Sequence, residues 1–177
     1  MSIEPIRKHI TVEVPQERAF RVFTQNMSAW WPKQHHIGKA PLARVALEER
    51  VGGRWYEVGD DGSECNWGKV LSWEPPRRVL LAWQISAQWQ FDPELVTEVE
   101  VIFTVEGPKR TRVELEHRNL ERFGEAAAAL REEKRYHRSA AAHHVAVTHH
   151  AEPDITAALD VVRGREQLVR AEFRGTV

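Results

Sequence analysis

The chain has 177 residues, with 25 Lys or Arg against 26 Asp or Glu and a formal net charge of −1 at pH 7. This length fits one domain, and the even mixture of charges argues against a nucleic-acid or membrane partner. No segment approaches the roughly 20 apolar residues of a membrane span, the N-terminus lacks the apolar run of a signal peptide, and the single cysteine, Cys65, precludes an intrachain disulfide. We therefore expect a cytoplasmic protein.

A strand and two short helices are predicted at the start of the chain. Apolar and polar residues alternate over residues 6–14, which is typical of a half-buried strand. Pro15 ends this strand and suits the first turn of a helix, where its missing amide costs nothing. Apolar residues then fall at helical spacing, and a second short helix is predicted over residues 26–31, ended by Pro32.

Six further strands are predicted at hairpin spacing. They lie near residues 44–50, 54–58, 64–73, 78–86, 96–106 and 110–118. Connections this short exclude parallel crossovers, so the sheet is expected to be antiparallel. Gly68 lies inside a predicted strand, which is typical of a bulge or a sharp bend.

One face of this sheet is apolar and has to be covered. The helices predicted at the two ends of the chain are available for this role. The pattern therefore predicts an α+β fold in which a twisted antiparallel sheet wraps around a C-terminal helix. We expect a cavity between that helix and the sheet.

Several motifs, taken in order, resemble one known superfamily. They are PQERAFRVFT (15–24), the Trp30-Trp31-Pro32 triplet, VGGRWYE (51–57), DGSECNWGKVLSWEPPRRVLLAWQI (61–85), TEVEVIFT (97–104) and TRVELEH (111–117). Over about residues 6–131 the chain resembles the SRPBCC (START-like) superfamily, and within it the family of homologues of the activator of the heat-shock protein 90 ATPase. The resemblance implies a helix-grip (Bet v-like) fold with an internal hydrophobic cavity. It implies no single function, because the superfamily includes carriers, cyclases and chaperone cofactors.

The C-terminal part departs from this family. The resemblance implies a long final helix with a Gly-Trp pair, and residues 120–135 predict the start of a helix, but no tryptophan follows Trp89. We therefore predict a domain core over residues 1–135 and a divergent segment over residues 136–177. This segment is either a replacement lid, with a helix over residues 155–173, or a tail foreign to the family, as a frameshift would produce.

Inward-pointing strand positions and the tryptophans predict a ligand pocket. Its wall is expected to consist of Trp31, Trp55, Trp67, Trp83, Val99, Val101, Phe103, Val113, Leu115 and His117. His117 shares the phase of Val113 and Leu115, so its imidazole is expected to face the cavity. One interpretation is a half-buried histidine with one backbone partner. The other is a ligand-orienting or acid–base role, since histidine side chains titrate near neutral pH.

Four histidines in two pairs, His143-His144 and His149-His150, raise the question of a metal site. Imidazoles bind transition metals, but these pairs lack the spacing and the cysteine or carboxylate completion of a zinc site. We predict no metal and no cofactor.

No catalytic residue is predicted. Cys65 has no nominated base or cation to activate its thiol. Glu48, Glu57 and Glu64 are scattered along the strands, and most of them are expected on solvated faces. Nothing in the sequence therefore identifies a pair of carboxylates for acid–base catalysis.

Three functions remain open. The first is binding of a small hydrophobic or amphipathic molecule in the internal cavity, without catalysis. The second is a chaperone cofactor that acts on an ATPase by protein contact, and the third is a cyclase or hydratase that uses His117. The expected partner is a small apolar molecule, with a chaperone or a second copy of the chain as further candidates. A cavity wall whose one polar group is His117 favours binding, whereas two converging titratable groups favour catalysis.

Overall fold

The computed structural model describes residues 3–124 and residue 127. The described strands are β1 (Ile6–Val12), β2 (Leu42–Leu47), β3 (Arg54–Gly59), β4 (Glu64–Glu74), β5 (Arg78–Trp83), β6 (Thr97–Gly107) and β7 (Arg110–Arg118). The helices are α1 (Gln16–Thr24) and α2 (Met27–Trp30), and Leu120–Phe123 forms a 3-10 turn.

All seven strands pair antiparallel in one sheet, in the order β1-β7-β6-β5-β4-β3-β2. Strands that follow one another from β2 to β7 are also neighbours in the sheet, as hairpin connections require. The sheet is curled into a half-barrel with one concave face. The predicted antiparallel arrangement, with two short helices after the first strand, is confirmed.

The turn between β2 and β3 explains why β2 ends at Leu47 rather than at the predicted residue 50. The Arg50 amide donates to the Glu48 carbonyl at 2.8 Å, and the Gly53 amide donates to the Arg50 carbonyl at 2.9 Å. Gly52 has a φ of 78°, which glycine adopts without strain. Residues 48–53 therefore belong to the turn.

A bulge in β4 places an extra residue on the inner face. Trp55 of β3 pairs with Gly68, and the next residue of β3 pairs with Asn66, so Trp67 has no partner in β3. Only glycine fits at position 68, because a Cβ atom there would lie 1.8 Å from a carbonyl oxygen of β5. The irregularity predicted from Gly68 is confirmed, and it leaves Trp67 buried in the core.

Helix α1 covers one end of the concave face. Phe20 meets Trp73 and Phe103 edge-on, at ring-centroid distances of 5.1 and 5.3 Å. Phe23 stacks on Trp30 of α2 at 5.3 Å. Aromatic pairs in these arrangements add to the stability that area burial provides. This end of the face is filled by core packing.

Charged side chains cover the convex face. Arg78 of β5 and Arg118 of β7 both pair with Glu100 on the strand between them. Arg7 of β1 pairs with Glu116 of β7 at 2.7 Å. Such half-exposed pairs contribute modestly to stability, and they mark this face as the solvated one.

The helix predicted from residue 120 does not begin there. Leu120–Phe123 is a 3-10 turn that Gly124 ends with a φ of 62°, a conformation that favours glycine and interrupts a helix. Residues 125, 126 and 128–177 lie outside the described residues. So do the lid predicted over residues 155–173, the domain boundary at residue 135 and the histidine pairs. The longest helix of the described part has nine residues, and no helix there is long and apolar enough to cross a membrane.

Candidate functional site

Four indole rings pack together on the inner face, and we call Trp31, Trp55, Trp67 and Trp83 the tryptophan cluster. The ring centroid of Trp55 lies 5.3 Å from that of Trp83 and 5.7 Å from that of Trp67. Trp31, just after α2, lies 4.7 Å from Trp67 and 6.1 Å from Trp55. The structure thus brings together the four tryptophans predicted to line the pocket.

The strand register explains how two of these rings meet. Trp55 of β3 and Trp83 of β5 both pair with Gly68, which lies between them on β4. Paired residues of antiparallel strands project to the same face. The register therefore places both indoles on the inner face, on the two strands that flank Gly68.

Three of the four indole N–H groups have acceptors. Trp31 donates to the His35 carbonyl at 2.8 Å, and Trp83 donates to the Ile85 carbonyl at 3.1 Å. Trp67 donates to the Glu57 carboxylate at 2.7 Å. Nε1 of Trp55 is buried without a partner. The cluster is therefore apolar apart from this one donor.

His117 lies beside the cluster, as its strand phase predicts. It is 8% exposed, and its Nε2 lies 2.8 Å from the hydroxyl of Thr97, which is fully buried. Its ring centroid lies 6.3 Å from that of Trp83 and 6.4 Å from that of Phe123. One partner of this imidazole is therefore the side-chain hydroxyl of Thr97.

The remaining predicted wall residues continue the same face away from the cluster. They are Val99, Val101, Phe103, Val113 and Leu115, and all five are buried. Phe103 lies under α1, between Phe20 and Phe23. The predicted wall therefore runs from a helix-covered end at Phe103 to an end at His117 where polar groups appear.

Glu57 is a buried residue that the sequence reasoning did not select. It is 2% exposed, although strand glutamates were expected mostly on solvated faces. Its carboxylate accepts from the Trp67 indole at 2.7 Å, the Ile37 amide at 3.0 Å and the Gly38 amide at 2.5 Å. Three donors compensate for the burial of a charged group. This carboxylate therefore links Ile37 and Gly38, in the loop after α2, to the sheet.

Glu57 lies two residues after Trp55 on the same strand, so its side chain points to the same inner face. This spacing is the sequence feature that could have identified it as buried. The two other glutamates do lie on solvated positions. Glu48 and Glu64 both pair with Arg54, at 3.0 and 2.9 Å, at partly exposed sites. Only the inward phase distinguishes Glu57 from them.

Cys65 pairs with Glu57 across β3 and β4. Burial raises the pKa of the Cys65 thiol, and the negative charges of Glu57 and Asp61 raise it further. A raised pKa keeps the thiol protonated at neutral pH, which disfavours a nucleophilic role. Within residues 3–124 and residue 127, no three His, Cys, Asp or Glu side chains form a group that would hold a metal ion.

Trp89 lies in the loop between β5 and β6 with an unusual backbone. Its amide donates to the Ser86 carbonyl at 3.0 Å, and the Ser86 amide donates to the Gln90 carbonyl at 2.8 Å. Residues 86–89 form a turn of the type in which the last residue takes the left-handed conformation. Trp89 has a φ of 57°, and its ring lies 6.1 Å from that of His35. The turn imposes this conformation on Trp89 at a position where glycine is the usual residue.

Two substitutions at position 89 test this strain. Trp89→Gly and Trp89→Ala remove the same ring, but glycine takes the left-handed conformation without a steric penalty. We expect the glycine variant to be more stable than the alanine variant by about 1 kcal/mol, as measured by urea denaturation. Equal stabilities would mean that the loop relaxes and stores no strain.

The fold and the site together define a class of protein. A curled antiparallel sheet with two short helices after its first strand is the helix-grip architecture of the SRPBCC superfamily. Residues 13–146 match the family described as Activator of Hsp90 ATPase homolog 1-like protein, and the chain belongs to this family. The resemblance seen in the sequence is confirmed, and the match extends past residue 131 to residue 146. No curated protein matches the chain.

Solved structures extend the comparison. The anthrahydroquino-gamma-pyrone synthase Txn09 is 40% identical over 74% of this chain and 86% of its own, with a TM-score of 0.54. The self-sacrificing resistance protein CalC from Micromonospora echinospora is 24% identical over 91% and 92%, with a TM-score of 0.62. The Aha1 dimer from Colwellia psychrerythraea is 15% identical over 78% and 93%, with a TM-score of 0.50. The last two show similarity of fold alone.

Proposed function

We propose that this protein binds a small planar aromatic molecule on the concave face, next to the tryptophan cluster. The observation that carries the proposal is the composition of this region. Four indoles pack together, the N–H of one of them (Trp55) has no partner, and His117 lies beside them with its Thr97 partner. A largely apolar wall with few polar groups is typical of small-molecule sites.

Two observations support an aromatic ligand, namely the indole rings of the tryptophan cluster and the name of a similar protein. Indole faces and edges attract other π systems in offset or edge-on contacts, which aliphatic ligands do not provide. The synthase that is 40% identical to this chain is named for a polycyclic aromatic product. Both observations favour a fused-ring ligand over a fatty acid.

Binding of simple fused-ring probes tests the proposal. We expect native mass spectrometry of the purified protein, together with isothermal titration calorimetry, to show one-to-one binding of naphthalene or of the bicyclic pyrone chromone. Trp31→Phe removes part of the cluster and is expected to weaken binding of both probes about fivefold, in keeping with the energy of one aromatic contact.

Trp73→Phe is the matched control. It makes the same truncation beside Phe20, at the end of the sheet that α1 covers. Binding by this variant is expected to stay within about twofold of the unmodified protein. If neither probe binds the unmodified protein, the proposal is wrong.

A ring-closing enzyme is the second candidate, because the relative at 40% identity is a synthase. In this candidate His117, next to Trp83 and held by Thr97, transfers the proton of an enolisable substrate. A suitable probe is 1-(2-hydroxyphenyl)butane-1,3-dione, which loses water to form 2-methylchromone. Catalysis that falls at least tenfold in His117→Gln supports this candidate. A rate equal to that in buffer excludes it for this probe.

The chaperone-cofactor alternative takes its support from the family name. Large exposed apolar residues in the described part of the chain are Val51, Phe91, Ile102 and Val105. They belong to three separate segments, namely the β2–β3 turn, the β5–β6 loop and β6. Scattered apolar residues of this kind are ordinary on protein surfaces, so the described surface adds no support for a chaperone or for a second copy of the chain.

A further inference from the structure

One buried side-chain polar atom in the described part of the chain has no hydrogen-bond partner, and it lies in the tryptophan cluster. It is Nε1 of Trp55, a residue that is 2% exposed. Buried donors nearly always find an acceptor, because an unpaired one loses its hydration without compensation. An unpaired donor inside a candidate ligand site indicates an acceptor that the described residues do not supply.

Two acceptors that bind other indoles of the cluster already have donors. Glu57, two residues along β3, accepts from Trp67 and from two amides of the loop that follows α2, at residues 37 and 38. The Ile85 carbonyl accepts from Trp83. The rings that contact Trp55 are those of the cluster itself, and aromatic faces are only weak acceptors.

We propose that Trp55 Nε1 donates a hydrogen bond to an oxygen atom of the ligand and thereby selects oxygenated planar aromatics, such as pyrones and quinones, over hydrocarbons. This inference rests on the proposed function. No Lys or Arg is buried among the described residues, and the buried Glu57 carboxylate already contacts the cluster through Trp67, so a second carboxylate from the ligand is disfavoured. The selected acceptor is therefore a neutral carbonyl or ring oxygen, and Trp55 is a specificity-determining residue.

Two bicyclic probes of equal size distinguish this role from plain apolar binding. Naphthalene is a hydrocarbon, and chromone has the same shape with a ring oxygen and a carbonyl. Because naphthalene is the less water-soluble of the two, a purely apolar site binds it more tightly. We expect calorimetry on the full-length protein to show the reverse, with chromone bound at least tenfold more tightly.

Two variants separate the effect of the indole N–H donor from the effect of the aromatic ring. Trp55→Phe removes the donor and is expected to abolish the preference for chromone, so that naphthalene binds at least as tightly. Trp31→Phe, which removes an indole that donates to His35, is expected to weaken both affinities and keep their ratio. In 15N-labelled protein, chromone is expected to move the Trp55 indole proton resonance downfield, and naphthalene is not. This signal is assigned by its loss in Trp55→Phe.

The possible results distinguish a failure of the inference about Trp55 from a failure of the proposed function. If the unmodified protein binds naphthalene as tightly as chromone, the inference about Trp55 is wrong, although the proposed binding of planar aromatics stands. The inference is also wrong if the Trp55→Phe variant keeps the tenfold preference for chromone. If neither probe binds, the proposed function itself is overturned.

Discussion

Replacing Trp83 by alanine is expected to lower the free energy of unfolding by about 3–5 kcal/mol, the usual cost of truncating a large buried aromatic residue. Trp83 is 3% exposed and contacts Trp55 and His117. Its indole N–H also satisfies the Ile85 carbonyl. The alanine variant therefore loses both packing and a buried hydrogen bond, and urea denaturation followed by circular dichroism measures the loss.

Phe91→Ala is the control for this prediction. Phe91 is a large apolar residue in the neighbouring loop, but it is 38% exposed. Its truncation is expected to cost less than about 1 kcal/mol. A midpoint for Trp83→Ala that equals the control would show that the tryptophan cluster does not belong to the core.

Glu57→Ala is expected to lower the free energy of unfolding by about 3 kcal/mol, because it leaves the Trp67 indole and two loop amides unpaired at once. The matched control is Glu64→Ala on the same sheet. Glu64 pairs with Arg54 at a partly exposed position, so its loss is expected to cost less than about 1 kcal/mol.

A second measurement locates the effect of Glu57→Ala. The amides of Ile37 and Gly38 donate to this carboxylate, so their hydrogen exchange is expected to accelerate in the variant more than that of the β6–β7 amides. Equal changes throughout the chain would mean that Glu57 stabilises the whole domain without holding this loop in particular.

The loop after α2 is held at two points, and this bears on how the site is kept in place. The Trp31 indole donates to the His35 carbonyl, and the Glu57 carboxylate accepts from Ile37 and Gly38. Sites need side chains whose positions are fixed by packing and by supporting hydrogen bonds. Here a buried carboxylate on a strand supports the loop that follows Trp31.

The sequence by itself determined the antiparallel sheet and the inward position of His117 and Trp83. Side chains alternate along a strand with a period of two, so an unbroken apolar phase decides which face is buried. Over β5, β6 and β7 this phase runs without interruption, and the structure buries its members except Val105, which lies near the exposed end of β6. The resemblance of the motifs then identified the family.

Only the tertiary structure decided how the tryptophan cluster is assembled and which of its groups are paired. A bulge at Gly68 interrupts the period of two and leaves Trp67 without a partner in β3. Two of the three donors to the buried Glu57 carboxylate come from residues about twenty positions earlier in the chain. Alternation along one strand shows which face a residue occupies, but its hydrogen-bond partners come from distant segments, and their presence at Glu57 and absence at Trp55 depend on how those segments pack.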